Sequence, residues 1–263
     1  MISRTAKILA SRRALEFEKE NPLIRDQFAK LFADQESIEF ASKTNNEIHY
    51  VLMRHKILDD LVALNLGNLK QVVLLGCGFD TKSLRYNGKG ARFLEVDNPA
   101  IFRLKRRVLD NYDYNKVETQ ESYIDSPNDL KIAIQNTDPS QPTLVIAEGF
   151  FMYLDSETAF KSFNLLSEYY GRNLVAGFDA LSTEYANSKK NQEALQRLKD
   201  KGSEVVKFFA SSGELKKYFS VLGYNLESWT PNELQKKYYG TEWTQNNDKF
   251  VSIVSHHSVN YRI

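Results

Sequence analysis

Short apolar runs that alternate with helical patterns constrain this chain more than any other feature. Residues 71–75 (QVVLL) and 143–147 (TLVIA) show no polar alternation, as expected of strands buried on both faces. Residues 92–96 (RFLEV), 116–120 and 173–178 (NLVAGF) read as further strands, with helical patterns at 99–111, 128–136 and 156–170 between them. Such alternation predicts a parallel sheet with helices on both faces. The end of the chain differs. A helix at 213–222 precedes strands at 224–229 and 250–256 joined by a loop alone, a spacing that suits an antiparallel pair closing the sheet. Before the first strand lie three helical segments: 5–20, broken by Asn21-Pro22; 23–33; and 46–66, ending at Gly67.

The 263 residues carry no linker, repeat or low-complexity tract, so one domain with a helical N-terminal extension is expected. Thirty-five basic residues against 34 acidic ones leave a formal charge of +1, which excludes a broad electrostatic grip on nucleic acid or an anionic membrane. A single cysteine, Cys77, excludes an intramolecular disulfide and a cysteine-cluster metal site. The four histidines have no metal-ligand spacing, and no metal is expected. No apolar run approaches a membrane span, and the N-terminus lacks the hydrophobic segment of a signal peptide. A cytoplasmic location is the expectation.

After the first strand comes Gly76-Cys77-Gly78-Phe79-Asp80-Thr81. Strand, GxG and helix form the turn in which glycines let backbone approach a ligand at a helix N-terminus. A dinucleotide fingerprint needs a third glycine where Thr81 stands, which argues against a nicotinamide cofactor. An acid about 20 residues on, at the end of the second strand, would hold ribose hydroxyls. Asp97 has that spacing, and Glu95 competes because residues two apart share a strand face.

Two charges stand where charges are expensive. Arg54 falls on the same face of its helix as Leu58 and Leu61. A buried guanidinium needs an anion, either a core carboxylate in a structural pair or the carboxylate of a ligand. His55 shares this face, and Arg12 is a weaker case on the first helix. Glu148 follows the strongest strand and precedes Gly149-Phe150-Phe151-Met152-Tyr153. The carboxyl ends of parallel strands carry ligands, and a glutamate among aromatics suits a cationic group. The alternative is that Phe150 and Phe151 are core and Glu148 caps the next turn.

Taken together, TAKILASRRALE with PLIRDQFAKLF, VVLLGCGFDTKSLR, FLEVDNPAIFRLKRRVL, LVIAEGFFMYL and GYNLESWTPNELQKKYYG resemble the leucine carboxyl methyltransferase family, in order and over nearly the whole chain. The resemblance implies a Rossmann-like class I methyltransferase: a seven-stranded, mostly parallel sheet with the last strand antiparallel. It divides the chain into a helical lid over 1–67 and a core over 68–263. It implies S-adenosylmethionine as cofactor and S-adenosylhomocysteine as product. Gly76 and Gly78 would line the methionyl and ribose part, Asp97 would hold the ribose hydroxyls, Arg54 the methionine carboxylate, and Glu148 would sit near the amine. The family's Asp-Leu pair beside the adenine aligns here with Glu121 and Ser122.

The expected activity is methyl transfer to an oxygen, carboxylate or hydroxyl, of a small-molecule acceptor, with a protein C-terminus as a less favoured acceptor. A carboxylate needs no base; for a hydroxyl the candidates are His49, His55 and Asp179. A nicotinamide-dependent oxidoreductase and a non-catalytic cofactor-binding module are the alternatives.

Overall fold

The computed structural model describes residues 4–43, 49–200, 205–244, 248–257, 259 and 261–263. Among the described residues the strands are β1 (Gln71–Leu75), β2 (Arg92–Asp97), β3 (Glu118–Glu121), β4 (Thr143–Ala147), β5 (Leu174–Leu181), β6 (Tyr224–Trp229) and β7 (Lys249–His256). They form one sheet in the order β3-β2-β1-β4-β5-β7-β6, with β7 antiparallel to both of its neighbours and every other pairing parallel. The expected antiparallel pair is present, and β7, the last strand, lies between β5 and β6.

Alternate residues of the central strands feed two cores. Val73, Leu75, Val145 and Ala147 face one, built on α6 (Pro127–Ile134), α7 (Ser156–Tyr170) and α10 (Ser212–Val221). Val72, Leu74, Leu144 and Ile146 face the other, built on α3 (His49–Asn65) and α5 (Pro99–Val108). Both faces are covered, so β1 and β4 are buried at every position and their sequences show no polar alternation.

Gly177, in the middle of β5, sets the height of α3. A Cβ there would lie 2.6 Å from Leu58 Cδ2 and 3.2 Å from Leu61 Cδ2. The strand glycine therefore marks a close approach of the helix, which brings the Arg54 end of α3 over the carboxyl ends of β4 and β5.

The helices at 5–20 and 46–66 are observed as α1 (Arg4–Phe17) and α3, with 44–48 outside the described residues. The expected helix at 23–33 is not formed. Only Ala29–Phe32 makes a 3-10 turn, because the Asp26 carboxylate accepts the amides of Phe28 and Ala29 and competes with helical bonding. A helix not foreseen, α2 (Gln35–Lys43), follows it. The helix expected after the glycine loop is the short α4 (Lys82–Arg85), while α8 (Thr183–Asn187), α9 (Lys189–Asp200) and α11 (Pro231–Tyr239) were not foreseen either. The last corrects the loop expected between β6 and β7. Thr230 and Glu233 form a capping box with Pro231 at the first turn, a signal present in TPNEL. No helix among the described residues is long and apolar enough to cross a membrane.

Candidate cofactor site

The carboxyl ends of β1, β2 and β4 open into one cavity of about 360 Å³, within the roughly 300–1,000 Å³ of small-molecule sites. Gly76 and Gly78 line it in the left-handed region, with φ of +60° and +48°. A Cβ on Gly76 would lie 2.7 Å from Phe150 Cδ2, so glycine there serves both the turn and the approach of the aromatic ring. Across the cavity, α1 contributes Thr5, Ala6, Leu9 and Arg13 to the wall.

Asp97, at the end of β2, reaches this cavity. Its Oδ2 accepts the amide of Gly78 and its Oδ1 the amide of Asn98, both at 2.7 Å. Burial raises its pKa above the usual carboxylate value, with the two amides working the other way. Glu95 points elsewhere. It is fully buried, with Oε2 taking Lys105 Nζ at 2.6 Å and the Tyr114 hydroxyl at 2.5 Å, and Oε1 taking the Ser83 hydroxyl. Of the two competing acids, Asp97 therefore has the cavity.

Glu148 also lines the cavity and anchors a buried ion network. Its Oε1 accepts from Arg54 Nε and Nη2, each at 3.1 Å. Its Oε2 lies 2.9 Å from His55 Nδ1 and 3.4 Å from Lys82 Nζ. Arg54 Nη1 donates to Asp179 Oδ2 at 2.8 Å, and Asp179 Oδ1 accepts the Gly149 amide at 2.5 Å. The structural pair open in the sequence is thus realised, twice over, while Arg54 still lines the cavity. Burial disfavours the charge on Arg54, and Asp179 and Glu148 more than restore it. Burial likewise works against Glu148, yet His55, Lys82 and Arg54 hold it well below the usual range. Asp179 is raised by burial despite Arg54.

The network continues beyond His55, through Arg85 and the N-terminal segment. Arg85 grips Asp59 with Nη1 at 2.9 Å and Nη2 at 2.6 Å. Arg13 donates from Nε to Asp26 Oδ2 at 2.8 Å and from Nη2 to the Phe79 carbonyl at 2.6 Å. Thr81, fully buried, donates to Asp26 Oδ1 at 2.7 Å. A threonine replaces the third glycine of a dinucleotide loop here because its hydroxyl ties the loop to the N-terminal segment. Arg13, Asp26 and Lys82 were not singled out in the sequence. Arg13 and Asp26 stand beside other polar residues, Arg12, Arg25 and Gln27, so nothing in the sequence marks them as buried, and Lys82 sits on a four-residue helix with no periodicity to read.

Of the adenine-side candidates, Ser122 lines the cavity with Tyr123, Ile124 and Asp125. Glu121 does not: its side chain is half exposed and pairs with Arg106 at 2.6 Å. As the last residue of β3 it points to the surface on the side of α5, whereas the cavity begins one residue later, where the Ser122 amide donates to the Asp97 carbonyl. His49 is also remote, with Nε2 3.1 Å from Gln235 Oε1 and its ring against Tyr239 and Trp243. Arg12 is buried on α1 and lies outside the cavity wall.

With this geometry in place, the chain can be compared with known proteins. A family profile described as leucine carboxyl methyltransferase matches residues 6–166. The chain belongs to the leucine carboxyl methyltransferase family. Among its relatives is a protein of Mycobacterium bovis named "Putative S-adenosyl-L-methionine-dependent methyltransferase", 30% identical over 175 residues, which cover 58% of this chain and 50% of that one. The matched stretch thus spans about half the length of that relative. A protein of the same name from Mycobacteroides abscessus is 27% identical over 270 residues, covering 90% of this chain and 87% of its own. A solved structure from Thermobifida fusca, titled "a putative methyltransferase", superposes with a TM-score of 0.66 at 12% identity and covers 97% of this chain and 95% of that one. The class I methyltransferase fold is therefore shared, and the family uses S-adenosylmethionine. The nicotinamide alternative draws no support from these matches.

Proposed function

We propose that this leucine carboxyl methyltransferase family member transfers a methyl group from S-adenosylmethionine to an oxygen of a small-molecule acceptor. One observation carries the reading. A glycine turn, a carboxylate set for hydroxyl donors and an acid held ionised among cations converge on one cavity at the carboxyl ends of three parallel strands.

The donor set suits that cofactor. Asp97, whose carboxylate makes no ion pair among the described residues, would accept from the ribose hydroxyls. Glu148 would face the ammonium group. Arg54 and Arg13, both in the wall, would face the carboxylate. Ser122, Tyr123, Ile124 and Asp125 would flank the purine. Bound there, S-adenosylmethionine supplies an electrophilic methyl carbon on a positively charged sulfur. The protein's task is alignment and exclusion of water, which α1 serves by closing one side of the cavity.

Oxygen is favoured as the acceptor atom because the bases at the cavity are engaged. His55 is hydrogen-bonded to Glu148, with its pKa lowered first by burial and then by Lys82, which makes it a weaker base; Glu148, and Asp179 behind the wall, are tied to Arg54. An acceptor that arrives as an anion needs no base. The test is turnover of methyl-labelled cofactor against a panel of carboxylic acids, phenols and amines. Alkali treatment then separates methyl esters, which release methanol, from ethers, which do not. Label appearing on nitrogen or carbon alone would overturn the oxygen reading. A thermal shift with NAD but none with S-adenosylmethionine would overturn the cofactor.

A further inference from the structure

Glu148 is held in place by an ammonium group that does not reach the cavity. Lys82 is the first residue of α4, fully buried and outside the cavity wall. Its Nζ donates to Asp80 Oδ2 at 2.8 Å and to Glu148 Oε2 at 3.4 Å, and lies 3.2 and 3.3 Å from the two ring nitrogens of His55. Its amide donates to Asp80 Oδ1 at 2.8 Å, so backbone and side chain grip the same carboxylate. Oxygens of Asp80 and Glu148 and a nitrogen of His55 lie within 4.8 Å of one another. Two carboxylates that close repel unless a cation lies between them, and Lys82 is that cation.

The groups facing His55 come from every element around it. Glu148 closes β4, Lys82 and Arg85 belong to α4, Asp80 lies in the glycine loop, and Asp59 lies one turn along α3. A carboxylate only accepts, so Nδ1 carries the proton toward Glu148 and Nε2 faces Arg85 Nη2 at 3.4 Å.

We propose that Lys82 is a positioning residue for the cofactor: from behind the cavity wall its ammonium separates Asp80 from Glu148 and fixes the Glu148 carboxylate for the ligand's ammonium group. The inference rests on the cavity being the S-adenosylmethionine site. Lys82 itself touches no ligand.

The experiment compares Lys82→Gln, which removes the charge at similar length, with Lys82→Arg, which keeps it. Calorimetry gives Kd for S-adenosylmethionine from about pH 6 to about pH 8.5, a range spanning the ordinary histidine value. Each Kd is divided by that of the unaltered protein, so ionisation of the ligand cancels. For Lys82→Gln the ratio should be about tenfold or more at the alkaline end, the scale of one lost charge-assisted interaction. It should shrink toward pH 6, because the freed carboxylates draw a proton onto His55 and restore a cation. Lys82→Arg should stay within about threefold throughout, its charge intact though its shape differs. Adding His55→Gln to Lys82→Gln should abolish the recovery at low pH.

A merely structural lysine would lower the melting temperature without tilting the ratio. A pH-independent ratio, or unchanged affinity in Lys82→Gln, therefore overturns the proposal. If Lys82→Gln does not fold, the unaltered protein decides. The His55 ring signals in an NMR titration, assigned with His55→Gln, should titrate below the ordinary histidine value, since burial and the facing Lys82 ammonium both lower it; a ring titrating near its ordinary value overturns the proposal. Failure of the unaltered protein to bind S-adenosylmethionine would sink the functional reading; binding by the unaltered protein with a ratio that stays flat would sink the Lys82 proposal alone.

Discussion

Asp97 and Gly78 are joined directly: the carboxylate that closes β2 accepts the amide of the second loop glycine at 2.7 Å. The acid and the loop therefore form one unit, and an oxygen already used by an amide retains lone pairs for a hydroxyl. Asp97→Ala should weaken S-adenosylmethionine binding by about 10- to 150-fold, the equivalent of roughly 1.5–3 kcal/mol for the carboxylate's hydrogen bonds. Calorimetry on the folded variant measures it. An unchanged Kd would remove Asp97 from the site, and Glu95 could not replace it, since Lys105, Tyr114 and Ser83 already occupy that carboxylate.

The loop glycine on the other side of Cys77 tests the shape of the cavity. Gly76→Ala places a Cβ 2.7 Å from Phe150 at a backbone φ of +60°. A strained residue of this kind costs on the order of 1–3 kcal/mol, and Phe150 must move within the cavity wall. We expect a lower melting temperature and cofactor affinity reduced about tenfold or more. Full affinity in this variant would mean that the ligand does not approach the turn.

Acid should dismantle the ion network before neutral pH affects it. Burial tends to raise Asp59, but Arg85 holds it down to about 2; Glu148, Asp80 and Asp26 are likewise depressed by their cations against burial. A folded-state pKa below the unfolded one contributes stability above the unfolded value, about pH 4, and that contribution is lost as pH falls toward the folded value. Asp97 and Asp179 are raised and act in the opposite direction, but the depressed group is larger. Unfolding free energy from urea melts should therefore be flat from about pH 7 to pH 5 in these groups and fall between about pH 4 and pH 2. Asp59→Asn should be less stable at neutral pH by about 2.5 kcal/mol, the worth of a two-unit depression, and should show a shallower acid slope. A slope equal to that of the unaltered protein would detach the Arg85 pair from acid stability.

Much of this was legible because the physics was local. QVVLL and TLVIA are buried on both faces and look it. Gly76, Gly78 and Asp97 follow from strand ends and spacing, and Arg54 from its place on an apolar helix face. What failed was set by tertiary partners. Asp26 turned 23–28 into an ordered loop by capping amides and taking Arg13, a contact 13 residues away along the chain. Lys82 carries no signal in the sequence because its burial depends on Asp80, His55 and Glu148 meeting from three elements. Glu121 missed the cavity by one position, since the strand pleat sends neighbouring side chains to opposite faces. By contrast, α11 had its capping box written in TPNEL, and its omission was a signal not used.

Arg54 carries the sharpest remaining prediction, because its two roles leave different signatures. Three of its N–H donors hold Glu148 and Asp179, so it cements α3 to the ends of β4 and β5. A guanidinium has five such donors, which leaves two for a ligand carboxylate at the cavity wall. Arg54→Met leaves two buried carboxylates without their cation and should cost about 3–5 kcal/mol, enough to threaten folding. Arg54→Lys is the informative variant. One ammonium keeps the charge but cannot reproduce a planar fork spanning two acids and a ligand. We expect Arg54→Lys to fold, to melt several degrees lower, and to lose about tenfold or more in S-adenosylmethionine affinity. Melting temperature without ligand and Kd, measured on the same preparation, separate the roles. A lowered melting temperature with Kd intact would confine Arg54 to the structural pairs and leave Arg13 as the cavity's guanidinium for the carboxylate. Both losses together are expected, since the face of α3 that meets the acids is also the face that lines the cavity.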